Sequence, residues 1–592
     1  MCGFGGELRT DGERADAAAV ARMSPMLADR GPDSSGEWAS GPMAMLHHRL
    51  EVIDLSPNGS QPMVDAELGL SLVFNGCIYN HVQLRRELEA SGYDFHSTSD
   101  TEVILKAYHR WGPRCVERFN GMFAFVLHEH RTGRTVMARD RLGIKPLYLS
   151  EQPGKIRFAS TLPALVAAGG VDTTVDPIAL HHYMSWHSVV PAPRTILAGV
   201  RKLPPATVRV LELDGRRSES VYWEPSFTRH EGAELPDGEW QEQVLEALRA
   251  AVKRRMVADV PVGVLLSGGL DSSLIVALLA ESGQKGLSTF SIGFEAAGGE
   301  AGHEFEYSDL VARQFDTDHH RFAIRDTRLL PAVESAVRAM SEPMVSHDCV
   351  AFYLLSQEVS QEMTVVQSGQ GADEVFAGYS WYPPLAHVDR AQAVDAYARA
   401  FFDRSHAAMA DLVSPEWLVE EDVSRAFVER HFGAPGAETA LDAALRLDTQ
   451  IMLVDDPVKR VDNMTMAWGL EARVPFLDHE LVEMAARCPP RLKLADGGKG
   501  VLKSASRKLV PDAVIDRPKG YFPVPGIRHL GGRMLELVGE VLQAPAARER
   551  RLFRSDAIDQ LLADPNARRT PIGGNVLWQV GLLEMWLQRM GI

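Results

Sequence analysis

The chain has 592 residues, 45% of them hydrophobic and 24% charged, with a net charge of −17. That is globular composition, long enough for several domains of about 150 residues each. The acidic balance argues against nucleic acid or an anionic membrane as partner, and with no run of 18 apolar residues and no charged-then-apolar leader the expected location is cytoplasmic. Cys2, Cys77, Cys115, Cys349 and Cys488 are scattered without a CxxC pair, which points away from a disulfide framework or zinc site.

In chain order, the first 150 residues read as β-rich. Gly and Pro punctuate short apolar runs at 71–74 and 122–127, and the spacing of Leu84 and Leu88 predicts a helix over 81–91. The polar stretch 211–235, with Gly215, Pro225, Gly232 and Pro236, predicts a linker between a first domain, 1–210, and a second, 236–592. In the second, a helical pattern (Val244, Leu245, Leu248, Val252) precedes an apolar strand at 262–266, a Gly-rich turn, an apolar helix at 272–280 and a strand at 289–294. That order predicts a parallel α/β sheet. Beyond Leu441 helical periodicity dominates, and the stripe Val576, Leu577, Val580, Leu583 and Trp586 predicts a core-packed terminal helix.

Three segments suggest chemistry. In Met1-Cys2-Gly3, removal of Met1 would leave the Cys2 thiol beside its own α-amine. An amine with a pKa of about 8 moves the thiol proton without a separate histidine. In Ser267-Gly268-Gly269-Leu270-Asp271-Ser272-Ser273 two glycines bring backbone N–H groups to an anion at a helix start, and three hydroxyls add donors. Asp271 would repel a bare pyrophosphate, which suggests Mg²⁺ between them. This is not a Walker A loop, since no Gly-Lys-Ser/Thr follows. A second loop, Gln367-Ser368-Gly369-Gln370-Gly371-Ala372-Asp373-Glu374, repeats strand, Gly-rich turn and acid. Loops at the carboxyl ends of parallel strands converge, so Asp271 and Asp373 could share a metal.

Together with Arg30-Gly31-Pro32-Asp33, His48-Arg49-Leu50, Phe74-Asn75-Gly76, Ser99-Asp100-Thr101-Glu102, Arg139-Asp140-Arg141-Leu142-Gly143, Gly469-Leu470-Glu471-Ala472-Arg473-Val474-Pro475-Phe476-Leu477-Asp478 and Arg517-Pro518-Lys519, these segments resemble the asparagine synthetase family of class II glutamine amidotransferases over nearly the whole chain. The resemblance implies an α/β protein: an N-terminal-nucleophile αββα sandwich, then an α/β ATP-pyrophosphatase domain (adenine nucleotide α-hydrolase-like) with a helical C-terminal part. It implies that Cys2 attacks the glutamine side-chain amide, with Asn75 and Gly76 as oxyanion hole. Arg49 would hold the glutamine α-carboxylate and Asp100 its α-ammonium. It implies ATP in the second domain. Leu265 and Ile292 would meet adenine; Ser267, Gly268, Gly269, Ser272, Ser273, Ser368 and Gly369 the ribose and phosphates; Asp271 and Asp373 Mg²⁺. Lys519 would stabilise charge on the reacting phosphorus, and Arg460 would lie near the phosphates. A tunnel would carry ammonia between the two sites. The partners implied are glutamine, ATP and a carboxylate acceptor, with a homodimer left open.

Two positions depart from the family wording. Asn75-Gly76-Cys77 stands where Asn-Gly-Glu is usual, which removes a carboxylate from the glutamine amine and could bring Cys77 near Cys2. Ser368-Gly369-Gln370 stands where Ser-Gly-Glu is usual, which removes a base and a charge from the acceptor site. With Ser341-Glu342-Pro343-Met344-Val345-Ser346-His347-Asp348, these departures are similar to the amidotransferases that make N-acetylglutaminylglutamine amide, an osmolyte. The alternatives are asparagine synthesis from aspartate, and a lapsed homologue with a binding role. Retention of Cys2, Asn75, Asp271, Asp373 and Lys519 argues against the last.

Overall fold

The apolar runs of the first 221 residues become strands β1 (Gly3–Arg9), β2 (Ser34–Ser40), β3 (Met43–Arg49), β4 (Met63–Asp65), β5 (Leu70–Ile78), β6 (Gly121–Glu129), β7 (Thr135–Arg139), β8 (Tyr148–Gln152), β9 (Lys155–Ala159), β10 (Arg201–Lys202), β11 (Thr207–Leu211) and β12 (Arg217–Val221). The computed structural model describes residues 2–229, 235–295, 304–517 and 524–592. The twelve strands form two antiparallel sheets, ordered β10-β8-β9-β1-β3-β2 and β12-β11-β7-β6-β5-β4. Phe4, Leu8, Met43, Val73, Val126, Met137, Leu149 and Phe158 fill the space between them. Leu84, Leu88, Val103 and Ala107, on helices His81–Ala90 and Asp100–Trp111, cover one outer face. Leu162, Leu165, Leu180 and Tyr183 cover the other. This is the expected αββα sandwich.

The predicted linker needs correction at its start. Leu211 closes β11, and β12 pairs with it from Thr207 opposite Val221 to Leu211 opposite Arg217. All five residues of β12 are exposed. The polar composition there marks an edge hairpin turning at Gly215 (φ +84°), since an edge strand facing water carries polar side chains.

The third sheet is parallel throughout: β13 (Val262–Leu265), β14 (Ser288–Phe294), β15 (Asp318–Ile324), β16 (Val365–Gln367) and β17 (Glu471–Arg473), in the order β15-β14-β13-β16-β17. Trp240, Val244, Leu248, Leu274 and Leu278 pack on one side of it. Val333, Val337, Phe352, Leu355 and Met464 pack on the other, with Leu577, Val580, Leu583 and Trp586 of helix Val576–Arg589. That second core also takes in Leu180, Tyr183 and Met184, so apolar packing is continuous from the first half of the chain into the second. β17 was not foreseen: three residues amid helical sequence leave no alternation to detect. Among the described residues no helix is long and apolar enough to cross a membrane.

Candidate active sites in two cavities

Cys2 enters the first sheet at the head of β1. Pairing of β1 with β3 sets Gly3 opposite His48, so Arg49 follows beside Cys2. Cys2, Arg49, Gly76, Cys77 and Asp100 line one cavity of about 30 Å³, with Glu471 of the parallel sheet closing it. Asn75 is fully buried beside it. Its Oδ1 accepts the Cys2 backbone N–H at 3.0 Å, while its Nδ2 has no protein partner among the described residues. Gly76 lies within β5 at φ +153°, and a Cβ there would come within 2.1 Å of the Met122 carbonyl. Only glycine permits that approach.

The Arg49 guanidinium is braced before any ligand arrives. It donates to Ser56 O at 3.0 Å, to Ile53 O at 3.3 Å and to Asp54 O. Asp100 opens its helix, accepts the Ile78 N–H at 2.9 Å and has its carboxyl pushed up by burial. Burial also pushes up the thiols of Cys2 and Cys77. Both cysteines are free and line the same cavity. Met1 lies outside the described residues.

The second cavity, about 530 Å³, opens at the carboxyl ends of β13, β14 and β16. Leu265, Ser267, Gly269, Asp271, Ser272, Ile292, Ser368, Gly369, Gln370, Asp373 and Arg460 line it, so most of the sequence-derived set converges here. Two members do not. Ser273 is fully buried, one turn into helix Leu270–Glu281. Gly268 (φ +74°) faces the neighbouring helix, and a Cβ would come within 2.6 Å of Ser308 N; its role is close packing. Lys519 lies outside the described residues.

Three further residues complete this wall: Lys499, which no motif contained, and Arg517 and Asp348, which stood in quoted motifs without a role of their own. Lys499 donates to Asp271 Oδ2 at 2.6 Å and pairs with Asp373 Oδ1 at 2.8 Å. Arg517 donates to Glu304 at 2.8 Å. Asp348 pairs with Arg460 at 3.4 Å. Lys499 comes from a segment far from both loops in sequence, so no local spacing signals it. Arg460 is buried, donates to Ser346 Oγ at 2.6 Å and is held protonated against burial by Asp456 and Asp348. The helical run carrying it widens into i→i+5 turns over 448–458 around Pro457. Such openings re-aim side chains. Asp271 and Asp373 present hard oxygen donors within hydrogen-bond reach of one cation, a donor set that fits a divalent ion.

One helix, Lys459–Met466, lines the second cavity and is linked through Arg30 to Cys2 in the first. Arg460 lines the second. Asp462 accepts from Arg30 at 2.9 Å and from Lys145 at 3.1 Å, and Arg30 Nε donates to the Cys2 carbonyl at 3.3 Å. Between them Glu342 accepts from Lys202 at 2.9 Å and Tyr148 at 3.2 Å, with Asp455 also on Lys202.

The sequence matches the asparagine synthase family over residues 243–588 and a glutamine amidotransferase domain over residues 1–223. The chain belongs to the asparagine synthetase family. Asparagine synthetase (glutamine-hydrolyzing) 1 of Bacillus subtilis is 30% identical over 622 residues, covering 99% of this chain and 96% of that relative. A putative asparagine synthetase (glutamine-hydrolyzing) of Mycobacterium tuberculosis is 32% identical over 578 residues, covering 88% and 87%. A protein named amidase chry2, of Gibberella zeae, is 26% identical over 593 residues, covering 87% and 86%. The chain is therefore a glutamine-dependent amidotransferase of a C–N bond-forming, ATP-using family.

Proposed function

We propose that this chain hydrolyses glutamine at Cys2 and delivers the ammonia to an ATP-activated carboxylate in the second cavity, the acceptor being an acetylated dipeptide, N-acetylglutaminylglutamine, rather than aspartate. With Met1 removed, the Cys2 amine takes the thiol proton and Sγ attacks the glutamine amide carbon. Asn75 Nδ2 and the Gly76 N–H stabilise the oxyanion; ammonia leaves, and water releases glutamate from the thioester. Arg49 and Asp100 hold the glutamine α-groups.

In the second cavity Leu265 and Ile292 flank adenine, and the two Ser-Gly loops hold the ribose and phosphates. Asp271 and Asp373 would hold Mg²⁺, which neutralises phosphate charge when bound. Lys499, on a flexible four-carbon stem, then turns from these carboxylates to the phosphate oxygens. The acceptor carboxylate attacks the α-phosphorus, pyrophosphate leaves, and ammonia displaces AMP from the acyl-adenylate. Lys519 stabilises the charge that builds on phosphorus, and Arg460 meets the phosphates or the acceptor. Ammonia passes beside helix Lys459–Met466, where a cavity of about 10 Å³ is lined by Lys459, Asp462 and Lys202.

The observation that carries the acceptor is Gln370 on the wall of the cavity. Aspartate brings an α-ammonium that needs an anionic partner, and Gln370 is neutral. Of the carboxylates lining the cavity, Asp271 and Asp373 are engaged by Lys499, Asp348 by Arg460, Glu304 by Arg517 and Asp516 by Arg507, while Asp496 lines it as well. An acetylated dipeptide carries no ammonium. The names of the Bacillus and Mycobacterium relatives favour aspartate as the second reading. Comparison of kcat/KM for both acceptors, by pyrophosphate release with mass detection of product, separates them. The dipeptide should win by at least tenfold; an equal advantage for aspartate would overturn the acceptor and leave the amidotransferase standing.

A further inference from the structure

We infer that His181, His406 and Asp422 form a binding site for a borderline divalent metal ion such as Zn²⁺, and that the ion clasps a helix of the first half to the helical part of the second. The site is separate from both cavities and does not depend on how they are read.

His181 lies on helix Pro177–Ser185 of the first half and is buried. His406 precedes the short turn Ala407–Asp411, and Asp422 caps helix Val423–Gly433. The fold brings one ligand atom of each within 4.8 Å of the other two. His181 Nε2 stands 3.0 Å from His406 Nδ1 and 3.9 Å from Asp422 Oδ1. Ligand atoms around a tetrahedral zinc, each about 2.0–2.2 Å from it, sit roughly 3.3 Å apart. The observed separations bracket that value, so small side-chain shifts would seat an ion. No cysteine takes part, which is why cysteine spacing carried no sign of the site.

The surrounding hydrogen bonds fix which nitrogen of His181 carries the proton. Ser185 Oγ donates its one hydrogen to the His181 carbonyl at 2.7 Å. The Ser424 hydroxyl, 2.7 Å from Ser185 Oγ, therefore donates to that oxygen. Ser424 Oγ is left with two lone pairs, which accept His181 Nδ1–H at 3.0 Å and His182 Nδ1–H at 2.9 Å. Burial keeps the His181 imidazole neutral, pushing it down to about 4. Its bare nitrogen is thus Nε2, the one that faces His406 Nδ1. A histidine that binds metal usually donates its other N–H to a fixed acceptor, and Ser424 fills that role.

Without an ion, His406 Nδ1–H donates to this lone pair. With one, His406 carries its proton on Nε2 and offers Nδ1; the residue is half-exposed, so water can move the proton. Asp422 supplies negative charge. Its Oδ1 accepts the Arg425 N–H at 3.0 Å as the helix cap, which orients the carboxylate without exhausting its lone pairs. Two imidazoles and a carboxylate leave a fourth position for water. Imidazole nitrogen selects zinc and its neighbours over Mg²⁺, which takes oxygen, so this site differs in kind from Asp271 and Asp373.

The test is zinc titration of the full chain against a chromophoric chelator near neutral pH, with saturating Mg²⁺ present, and Tm measured alongside. The expected result is one equivalent of tightly bound Zn²⁺ and a Tm that rises with zinc beyond its value in Mg²⁺ alone, because an ion held by the folded state stabilises it. His406→Ala should weaken zinc at least a hundredfold. Asp422→Asn, which keeps a side-chain cap on its helix, should weaken it at least tenfold while its zinc-free Tm stays within a few degrees of the parent. Co²⁺ in place of zinc should show the visible absorption of a four-coordinate site and lose it in His406→Ala. If His406→Ala does not fold, Asp422→Asn is read by the same criteria. Zinc held at parent affinity in the variants would place the ion elsewhere, and no bound zinc would leave only a histidine–histidine hydrogen bond; either result overturns the site.

Discussion

Asn75 uses its two ends differently: Oδ1 holds the Cys2 backbone, and Nδ2 is left for a substrate oxygen. Asn75→Ala should therefore lower glutamine-dependent kcat by roughly 10²–10³, as loss of one oxyanion donor does elsewhere, while ammonium-dependent synthesis continues. Parallel loss of both activities would assign Asn75 to structure instead. Lys499 gives a second residue-level expectation. It neutralises two carboxylates that would otherwise repel each other, so Lys499→Met should lower Tm by a few degrees and millimolar Mg²⁺ should restore it, since a ligand that binds the folded state stabilises it. A Tm that Mg²⁺ does not move would remove Asp271 and Asp373 from any metal site. At this scale the sequence was readable where one short segment carried its own chemistry, as in the loop from Ser267 to Asp271. Lys499 was not readable, and the contacts of Arg517 and Glu471 were not, although both stood in quoted motifs, because each meets its neighbours only through the fold.

The elements explain why glycine and serine spacing led to one cavity. Both loops leave parallel strands at their carboxyl ends and enter helices, where unpaired N–H groups face one crevice. Gly371 makes the second turn at φ +94°, and a Cβ there would come within 2.3 Å of Leu477. Gly371→Ala should cost roughly 2–4 kcal/mol, combining left-handed backbone strain with overpacking, and urea unfolding should show it; a change below about 1 kcal/mol would mean that the loop relaxes freely. Strands that alternate or run apolar for five residues or more were legible, as β6 and β14 were. β12 read as linker because its exposed edge is polar, and β17 was hidden because three residues carry no period. The hidden strand is the one that carries Glu471 to the first cavity.

At the scale of the molecule, buried charge ties the halves together where apolar packing alone would not fix their register. Within the second half, Asp478 shows what a buried ion pair does for stability. Burial would raise its carboxyl, but Arg255 and Arg254, each at 2.8 Å, hold it at about 2. The unfolded value is about 3.9, so on acidification the unfolded chain takes the proton first. The stabilisation, roughly 2–3 kcal/mol, is present above about pH 4 and is lost as pH falls toward 2. Asp478→Asn should lower unfolding free energy by about that amount at pH 7, and the gap to the parent should narrow between pH 5 and pH 3; a gap independent of pH would show that the ion pairs do not carry it. The two-part organisation was visible in the change from β-rich to α/β sequence. The shared core, the Arg30–Asp462–Lys145 cluster and the entry of Glu471 into the first cavity were not, since single-sequence periodicity says nothing about which surfaces meet.

That meeting of surfaces underlies the proposed transfer, in which nitrogen released at Cys2 reaches the activated carboxylate without entering bulk water. Glutamine labelled with ¹⁵N in its side-chain amide, supplied with ATP, Mg²⁺ and acceptor in a large excess of unlabelled ammonium, tests it directly. The product amide should keep nearly all of the ¹⁵N, in one-to-one ratio with pyrophosphate. Label diluted to the level of the ammonium pool, or absent from the product, would contradict the account.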